Sequence, residues 1–211
     1  MAVSHDKSTR WLVFGDSIVS GFFDTCGGWV DRLKHDQMMK FIRDGAGVKV
    51  FNLGISGQTS RDLLARIEGE LAARLSPKGN CVVVISIGGN DSALEDGTAR
   101  MDISVFQDTM QKIIAIAKRY TKRIVVVGLL PVDEQRTRPV AWGRNLSFTN
   151  ERLMDFDRTL QLVAQREGAT FVSLSTLFGD NATQFLYDGV HPNDEGHKII
   201  YNRMRKELDA I

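Results

Sequence analysis

Two stretches of this chain, CVVVISIG at 81–88 and RIVVVGLL at 123–130, are apolar residue after residue rather than alternately. A strand with one wet face alternates apolar and polar side chains. An unbroken apolar strand is dry on both faces, the situation of a strand in a parallel sheet covered by helices on each side. Three further β-rich runs accompany the pair: WLVF at 11–14, VKVFNL at 48–53 and TFVSLS at 170–175.

Between these runs the apolar period lengthens to three or four residues. Leu64, Ile67, Leu71 and Leu75 recur at helical spacing behind Thr59 and Ser60 as alternative caps. Phe106, Met110, Ile113 and Ala117 form a second set, and Leu153, Phe156, Leu160 and Val163 a third, behind Thr149 or Asn150. Ile200, Met204, Leu208 and Ile211 follow Pro192 and Asn193. The segment from Gly28 to Arg43 is a further helix, with Trp29, Leu33 and Met38 expected to face inward. Strand and helix thus alternate throughout, which specifies an α/β fold: a three-layer α/β/α sandwich with a parallel sheet and right-handed crossovers. The 211 residues read as one domain, 1–211, with 1–9 as a flexible N-terminal tail. One long stretch, PVDEQRTRPVAWGRNLSF at 131–148, breaks the pattern and is either a functional loop or a solvated excursion.

Charge narrows the function classes. Lys plus Arg number 27 and Asp plus Glu 26, a net charge of +1, so nothing electrostatic favours nucleic acid or an anionic membrane as partner. No apolar run approaches the length of a membrane span, and MAVSHDKSTR at the start lacks the apolar core of a signal peptide. The expectation is a cytoplasmic protein with no stable membrane insertion. Cys26 and Cys81 cannot make a disulfide framework; Cys81 opens an apolar run and reads as buried, and nothing around Cys26 would activate its thiol.

In open parallel sheets, ligands bind beyond the carboxyl ends of the strands. At those ends stand Gly15-Asp16-Ser17, GISGQTS at 54–60, GGND at 88–91 and DGVHPN at 188–193. A serine hydroxyl becomes a nucleophile when a base takes its proton, usually a histidine oriented by a carboxylate. His5 lies in the tail, His35 in a helix, and His197 more than a turn into the last helix, where it is expected to face solvent. His191 sits instead in a turn between strand and helix, three residues after Asp188, with Gly189 permitting the turn and Pro192 setting the entry to the helix. Asn90 offers a side-chain amide to a developing oxyanion, and Gly57 a backbone N–H where a side chain would block the approach. Each residue also has a plain reading as a turn or cap residue. On that reading the sheet edge belongs to a flavodoxin-like binding module without turnover. A metal-dependent phosphoesterase using Asp16, Asn90 and His191 would want more ligands than these turns supply. GISGQTS lacks the lysine of a phosphate loop, and VFGDSIVSG lacks the later glycines of a dinucleotide fingerprint.

Taken together, GDSI, NLGISGQTS, GGND and DGVHPN, in this order over residues 15 to 192, resemble the SGNH hydrolases, also called GDSL lipases and esterases. The resemblance implies a flavodoxin-like sheet of five parallel strands in the order 2-1-3-4-5. It implies hydrolysis of a small-molecule carboxylic ester or thioester through an acyl-enzyme, with no cofactor and no metal. Ser17 would be the nucleophile, His191 the base and Asp188 its orienting carboxylate. The oxyanion hole would comprise the N–H groups of Ser17 and Gly57 and the Asn90 amide. Ile18 stands where the family motif has Leu, and both are apolar anchors. The short loops are similar to those of bacterial single-domain members and suggest an open cleft walled by 22–29, 92–101 and 131–148. Phe22, Phe23 and Trp29 fit the core better than an acyl pocket, Arg136, Arg138 and Arg144 fit a solvated loop face, and Asp16 is expected to brace its turn through backbone N–H groups.

Overall fold

A computed structural model describes residues 9–75, 80–143 and 145–211. Apart from Thr9, the expected N-terminal tail therefore lies outside the described residues, as do His5 and Arg144. In chain order the elements are β1 (Arg10–Gly15), α1 (Ser17–Ser20), α2 (Gly28–Asp44), β2 (Lys49–Gly54), α3 (Ser60–Arg74), β3 (Cys81–Ser86), β4 (Leu94–Glu95), β5 (Thr98–Ala99) and α4 (Ile103–Lys118). There follow β6 (Ile124–Val127), β7 (Leu146–Ser147), α5 (Asn150–Arg166), β8 (Thr170–Val172), a 3₁₀ helix (Gly179–Phe185) and α6 (Asp194–Asp209).

Strands β2-β1-β3-β6-β8 form one sheet in that order, and every neighbouring pair is parallel. Counted within this sheet alone, the order is the expected 2-1-3-4-5. The two-residue strands β5-β4-β7 form a separate antiparallel patch, too short to leave a periodic signal in the sequence.

The unbroken apolar runs are explained by the two faces of the sheet. Leu12, Phe14, Val83 and Ile85 pack on one side with Leu63, Ile67 and Leu71 of α3, Phe106 and Met110 of α4, and Phe156 and Leu160 of α5. The intervening Trp11, Val13, Val82 and Val84 pack on the other side with Trp29 and Leu33 of α2 and with Ile200 and Met204 of α6. Every position from Trp11 to Gly15 in β1, from Cys81 to Ile85 in β3 and throughout β6 is thus buried, and each large side chain contributes about 1.5–3 kcal/mol by leaving water.

Thr59 caps α3 in a reciprocal capping box with Asp62, Thr149 accepts from the Arg152 N–H at the start of α5, and Asn193 accepts from the Gly196 N–H at the start of α6. Three expectations are corrected. Met38 is exposed, because nine residues of about 100° each carry it to the side of α2 opposite Trp29; Gln37 closes the buried stripe instead. The buried stripe of α3 includes Leu63, with Leu64 only partly covered. Ile211 lies past the end of α6 and is exposed.

The register levels the strand ends. Gly15 at the end of β1 pairs with Gly54 on one side and Ser86 on the other, so three chain segments leave the sheet at one height. Only a glycine fits at the middle one: a Cβ on Gly15 would lie 2.3 Å from both the Ser86 carbonyl oxygen and Val19 Cγ2. Gly15→Ala is expected to destabilise the protein by about 1–3 kcal/mol, the usual cost of overpacking. A lower urea midpoint at unchanged m-value is the expected readout.

Candidate active site

The first turn is built by Asp16. Its backbone leaves β1 and caps α1, and its Oδ1 accepts from the Ile18 N–H at 3.0 Å, which is the bracing role expected of it. Ser17 is therefore the first residue of α1, where a backbone N–H has no partner within the helix. Its side chain is nearly enclosed. Burial raises Asp16 to about 6, against the opposing pull of the Ile18 N–H and the His191 ring.

The last turn brings the histidine. Asp188 Oδ1 accepts from the N–H groups of Val190, at 2.9 Å, and His191, at 2.8 Å, while Oδ2 meets His191 Nδ1 at 2.8 Å. A carboxylate only accepts, so Nδ1 carries the ring proton and Nε2 is left as an acceptor. The Ser17 hydroxyl donates to that Nε2 at 2.9 Å. Gly189 holds a φ of 97°, and a Cβ there would lie 2.9 Å from Arg136 Cβ. Burial works to raise the Asp188 carboxyl, but the hydrogen bonds from His191 and Val190 outweigh it and hold the group at about 2.

The long loop clamps this turn from outside. Arg136 donates to the carbonyls of Leu186, at 2.9 Å, and Tyr187, at 2.8 Å, and the Asp133 N–H donates to the Gly189 carbonyl at 2.9 Å. Arg136 lies on an exposed face, as expected, and also braces the turn, while Arg138, likewise exposed, pairs with Glu134. The loop carries a small core of its own: Val132, Val140, Leu146 and Phe148 pack with Ala93 and Leu153.

Asn90 and Gly57 come from the two middle turns. Asn90 Nδ2 donates to the Gln58 carbonyl at 3.0 Å, which fixes one amide hydrogen and leaves the second for another acceptor. Gly57 has a φ of 78°, yet a Cβ there would meet nothing within 4 Å. That positive φ favours glycine at 57, and the space beside its Cα is clear of protein atoms. Asp91, unremarked in the sequence, locks the two turns together. Fully buried, its oxygens accept from the Ser60 N–H at 3.0 Å and from the Ser60 hydroxyl, so the residue after Asn90 is bonded to the start of α3. Burial raises its carboxyl above the usual range despite these bonds.

Between the turns lies a cavity of about 50 Å³, lined by Ser17, Asn90 and His191 and by apolar side chains that include Ile87, Leu129, Leu130, Val132 and Trp142. Residues 131–148 line it as expected, but 92–101 do not: that segment packs behind the loop and supports it. Trp29 is core, as expected. Phe22 and Phe23 are not: both rings are exposed and stand 5.2 and 5.6 Å from the His191 ring, centroid to centroid.

His197 is fully buried rather than solvent-facing. The Trp29 N–H donates to its Nδ1 at 3.3 Å, and its Nε2 donates to the Phe22 carbonyl at 3.2 Å. It thereby serves α2, whose cap residue Gly27 has no side chain, as a tertiary cap. Burial pushes this imidazole below its ordinary value. Neither His197 nor Asp91 had a sequence signal beyond lying next to a candidate turn. Cys26 is exposed and Cys81 buried, both unbridged. Among the described residues, no cluster of three or more His, Cys, Asp or Glu is arranged to hold a metal, and no helix is long and apolar enough to cross a membrane.

Comparison with known proteins agrees with this geometry. A family model described as GDSL-like Lipase/Acylhydrolase matches residues 13–199. The chain is 28% identical over 219 residues to an isoamyl acetate-hydrolyzing esterase of Saccharomyces cerevisiae, covering 96% of this chain and 87% of that one. It is 32% identical over 185 residues to Esterase TesA of Pseudomonas aeruginosa, covering 86% and 78%. The crystal structure of a lipase/acylhydrolase from Enterococcus faecalis shares the fold, with a TM-score of 0.74 at 23% identity and 95% coverage of each chain.

The two carboxylates at the site titrate with opposite signs. Asp188, held low, contributes stability that is present above pH 3.8 and is lost as the pH falls toward about 2. Asp16, held high, contributes stability that is full below pH 3.8 and is lost as the pH rises through about 6. Asp16→Asn keeps the acceptor for Ile18 and removes the charge. The stability of Asp16→Asn relative to wild type is expected to rise by about 3 kcal/mol between pH 3.5 and pH 7, as measured by urea unfolding at each pH. A flat difference would mean that Asp16 is not buried as a charge.

Proposed function

Because this chain belongs to the GDSL-like lipase/acylhydrolase family and hydrolyses carboxylic esters through a serine, we propose that Ser17 is the nucleophile, with His191 its base and Asp188 the carboxylate orienting the ring. The observation that carries this assignment is the continuous line of hydrogen bonds Ser17 to His191 at 2.9 Å and His191 to Asp188 at 2.8 Å. As Ser17 Oγ attacks the ester carbonyl carbon, its proton passes to His191 Nε2. The imidazolium is stabilised by Asp188, whose low pKa keeps it ionised. The carbonyl oxygen, now negative, accepts from the N–H groups of Ser17 and Gly57 and from the second amide hydrogen of Asn90. The intermediate collapses as His191 protonates the alcohol oxygen. A water, deprotonated by the same nitrogen, then cleaves the acyl-enzyme and releases the acid. The chain 1–211 acts here as one domain.

The acyl group is short in this reading. A water-sized body occupies about 10–15 Å³ by the same measure, so the cavity of about 50 Å³ beside Ser17 admits only a few heavy atoms. Its walls are large, closely packed side chains such as Leu129, Phe148 and Leu174. Similarity to an esterase named for an acetate ester supports the same size. Thioesters of short acids fit the same geometry. A cytoplasmic setting completes the proposal, supported by two unbridged cysteines, one of them exposed.

Three measurements test this. A fluorophosphonate probe is expected to label wild type at Ser17 and to leave Ser17→Ala unlabelled. Ser17→Ala should lower kcat on p-nitrophenyl acetate by about 10⁴-fold or more, and Asn90→Ala by about 100- to 1,000-fold. An Asn90 variant changed only in KM would make that amide a ground-state contact. Separately, kcat/KM is expected to fall at least about tenfold from p-nitrophenyl acetate to the octanoate, as a chain too long for the cavity displaces packed side chains. A rise along that series would rule out the short-acyl reading.

A further inference from the structure

The assigned roles divide the space around Ser17. The oxyanion points toward Asn90 and Gly57. The alcohol oxygen has to reach His191 Nε2 to collect its proton, so the alcohol portion of the ester leaves over the histidine. That side is aromatic. Among the described residues five aromatic side chains are exposed, and four of them, Phe22, Phe23, Trp142 and Tyr187, gather there, at exposures of 48, 37, 50 and 60%. The rings of Phe22, Phe23 and Trp142 lie 5.2, 5.6 and 5.6 Å from the His191 ring, and Phe23 stacks on Tyr187 at 4.1 Å.

These rings are held in place rather than left as loose surface residues. Phe23 sits at a φ of 64°, in the left-handed region that favours glycine. Its segment is pinned at several points. His197 donates to the Phe22 carbonyl, the Thr25 N–H and hydroxyl donate to Asp194 at 2.9 and 2.6 Å, and Gly21 and Gly28 approach so closely that a Cβ on Gly28 would lie 2.3 Å from Gly21 Cα. The charged groups nearby are already engaged: Arg136 with two carbonyls and Asp133, Asp24 with Arg32, and Asp194 with Thr25. The surface therefore offers ring faces and few unengaged hydrogen-bonding groups, which suits hydrocarbon and leaves the hydroxyls of a sugar short of partners.

We propose that Phe22, Phe23, Trp142 and Tyr187 form the leaving-group subsite and select esters of apolar alcohols, with His197 as a positioning residue that holds Phe22 and Phe23 over His191. The proposal rests on the assignment of Ser17 and His191 above and adds the substrate's alcohol side to it. Binding energy gained on the rings acts on the alcohol alone, so it separates from the acyl preference.

The test is kcat/KM on methyl, butyl and hexyl acetates, with acetylated xylose alongside. Wild type is expected to favour hexyl over methyl acetate by at least about tenfold, since each methylene laid against a ring leaves water. Phe22→Ala combined with Phe23→Gly, in which glycine accepts the positive φ, should reduce that hexyl-to-methyl ratio at least about fivefold, through KM. His197→Gln, which touches no substrate, should reduce the ratio in the same direction, with a thermal melt to show that it folds. The Phe22/Phe23 variant stands as the test if the His197 variant does not fold. An unchanged ratio in the Phe22/Phe23 variant, or a wild type that prefers acetylated xylose to hexyl acetate, overturns the proposal. Methyl acetate hydrolysis that survives Ser17→Ala overturns the underlying assignment as well. Loss of hydrolysis in Ser17→Ala together with a flat alcohol series overturns the subsite alone.

Discussion

Everything at the functional edge depends on the parallel register of β1 between β2 and β3. Gly15 faces Gly54 and Ser86, so three strands end level and their following turns meet. The fit is tight enough that even a methyl group on Gly15 or Gly54 would strike backbone: the Ser86 carbonyl oxygen at 2.3 Å in the first case and the Ser20 N–H at 2.3 Å in the second. The central strands of the sheet are buried on both faces. The site is accordingly supported by the most deeply packed part of the molecule, while each chemical group is carried on a short turn.

Hydrogen bonds between the turns do the finer positioning. Asp188 spends one oxygen on two backbone N–H groups and the other on the imidazole, so a single carboxylate shapes its turn and sets the tautomer of His191. Asp91 ties the Asn90 turn to the start of α3, and Asn90 itself is tied to Gln58. The three acids at these turns differ in consequence. Asp188 has enough donors to be held low, whereas Asp16 and Asp91 are outweighed by burial and pushed high. Asp16 therefore gains its charge only as the pH rises through about 6, whereas Asp188 is already charged well below that.

Much of this was legible in the chain. Unbroken apolar runs specified strands covered on both faces, and the four strand-end blocks marked Ser17, Gly57, Asn90, Asp188 and His191 because small and polar residues interrupt apolar patterns there. Other features were not legible, and for identifiable reasons. Met38 fits an apolar count along α2 but not its angle, since it falls opposite Trp29. His197 sits on a helix whose polar side chains mostly face water, and only the approach of residues 22–29 from far away in sequence buries it. Phe22 and Phe23 have the composition of core residues; what exposes them is a left-handed turn at Phe23 and a stacking partner, Tyr187, more than 160 residues away.

By itself, then, the sequence determined the layer order, the broad periodicity of the longer elements and which chemical groups stand at the strand ends, because those follow from local spacing and from where apolar runs stop. Tertiary structure alone decided distances and environments: that Ser17 and His191, 174 residues apart, come within 2.9 Å, that Asp16 is buried enough to be raised, and that four rings gather over the histidine. The division has a physical cause. Secondary structure answers to neighbours three or four residues away, whereas burial and long-range hydrogen bonds depend on segments that only the closed sheet brings together.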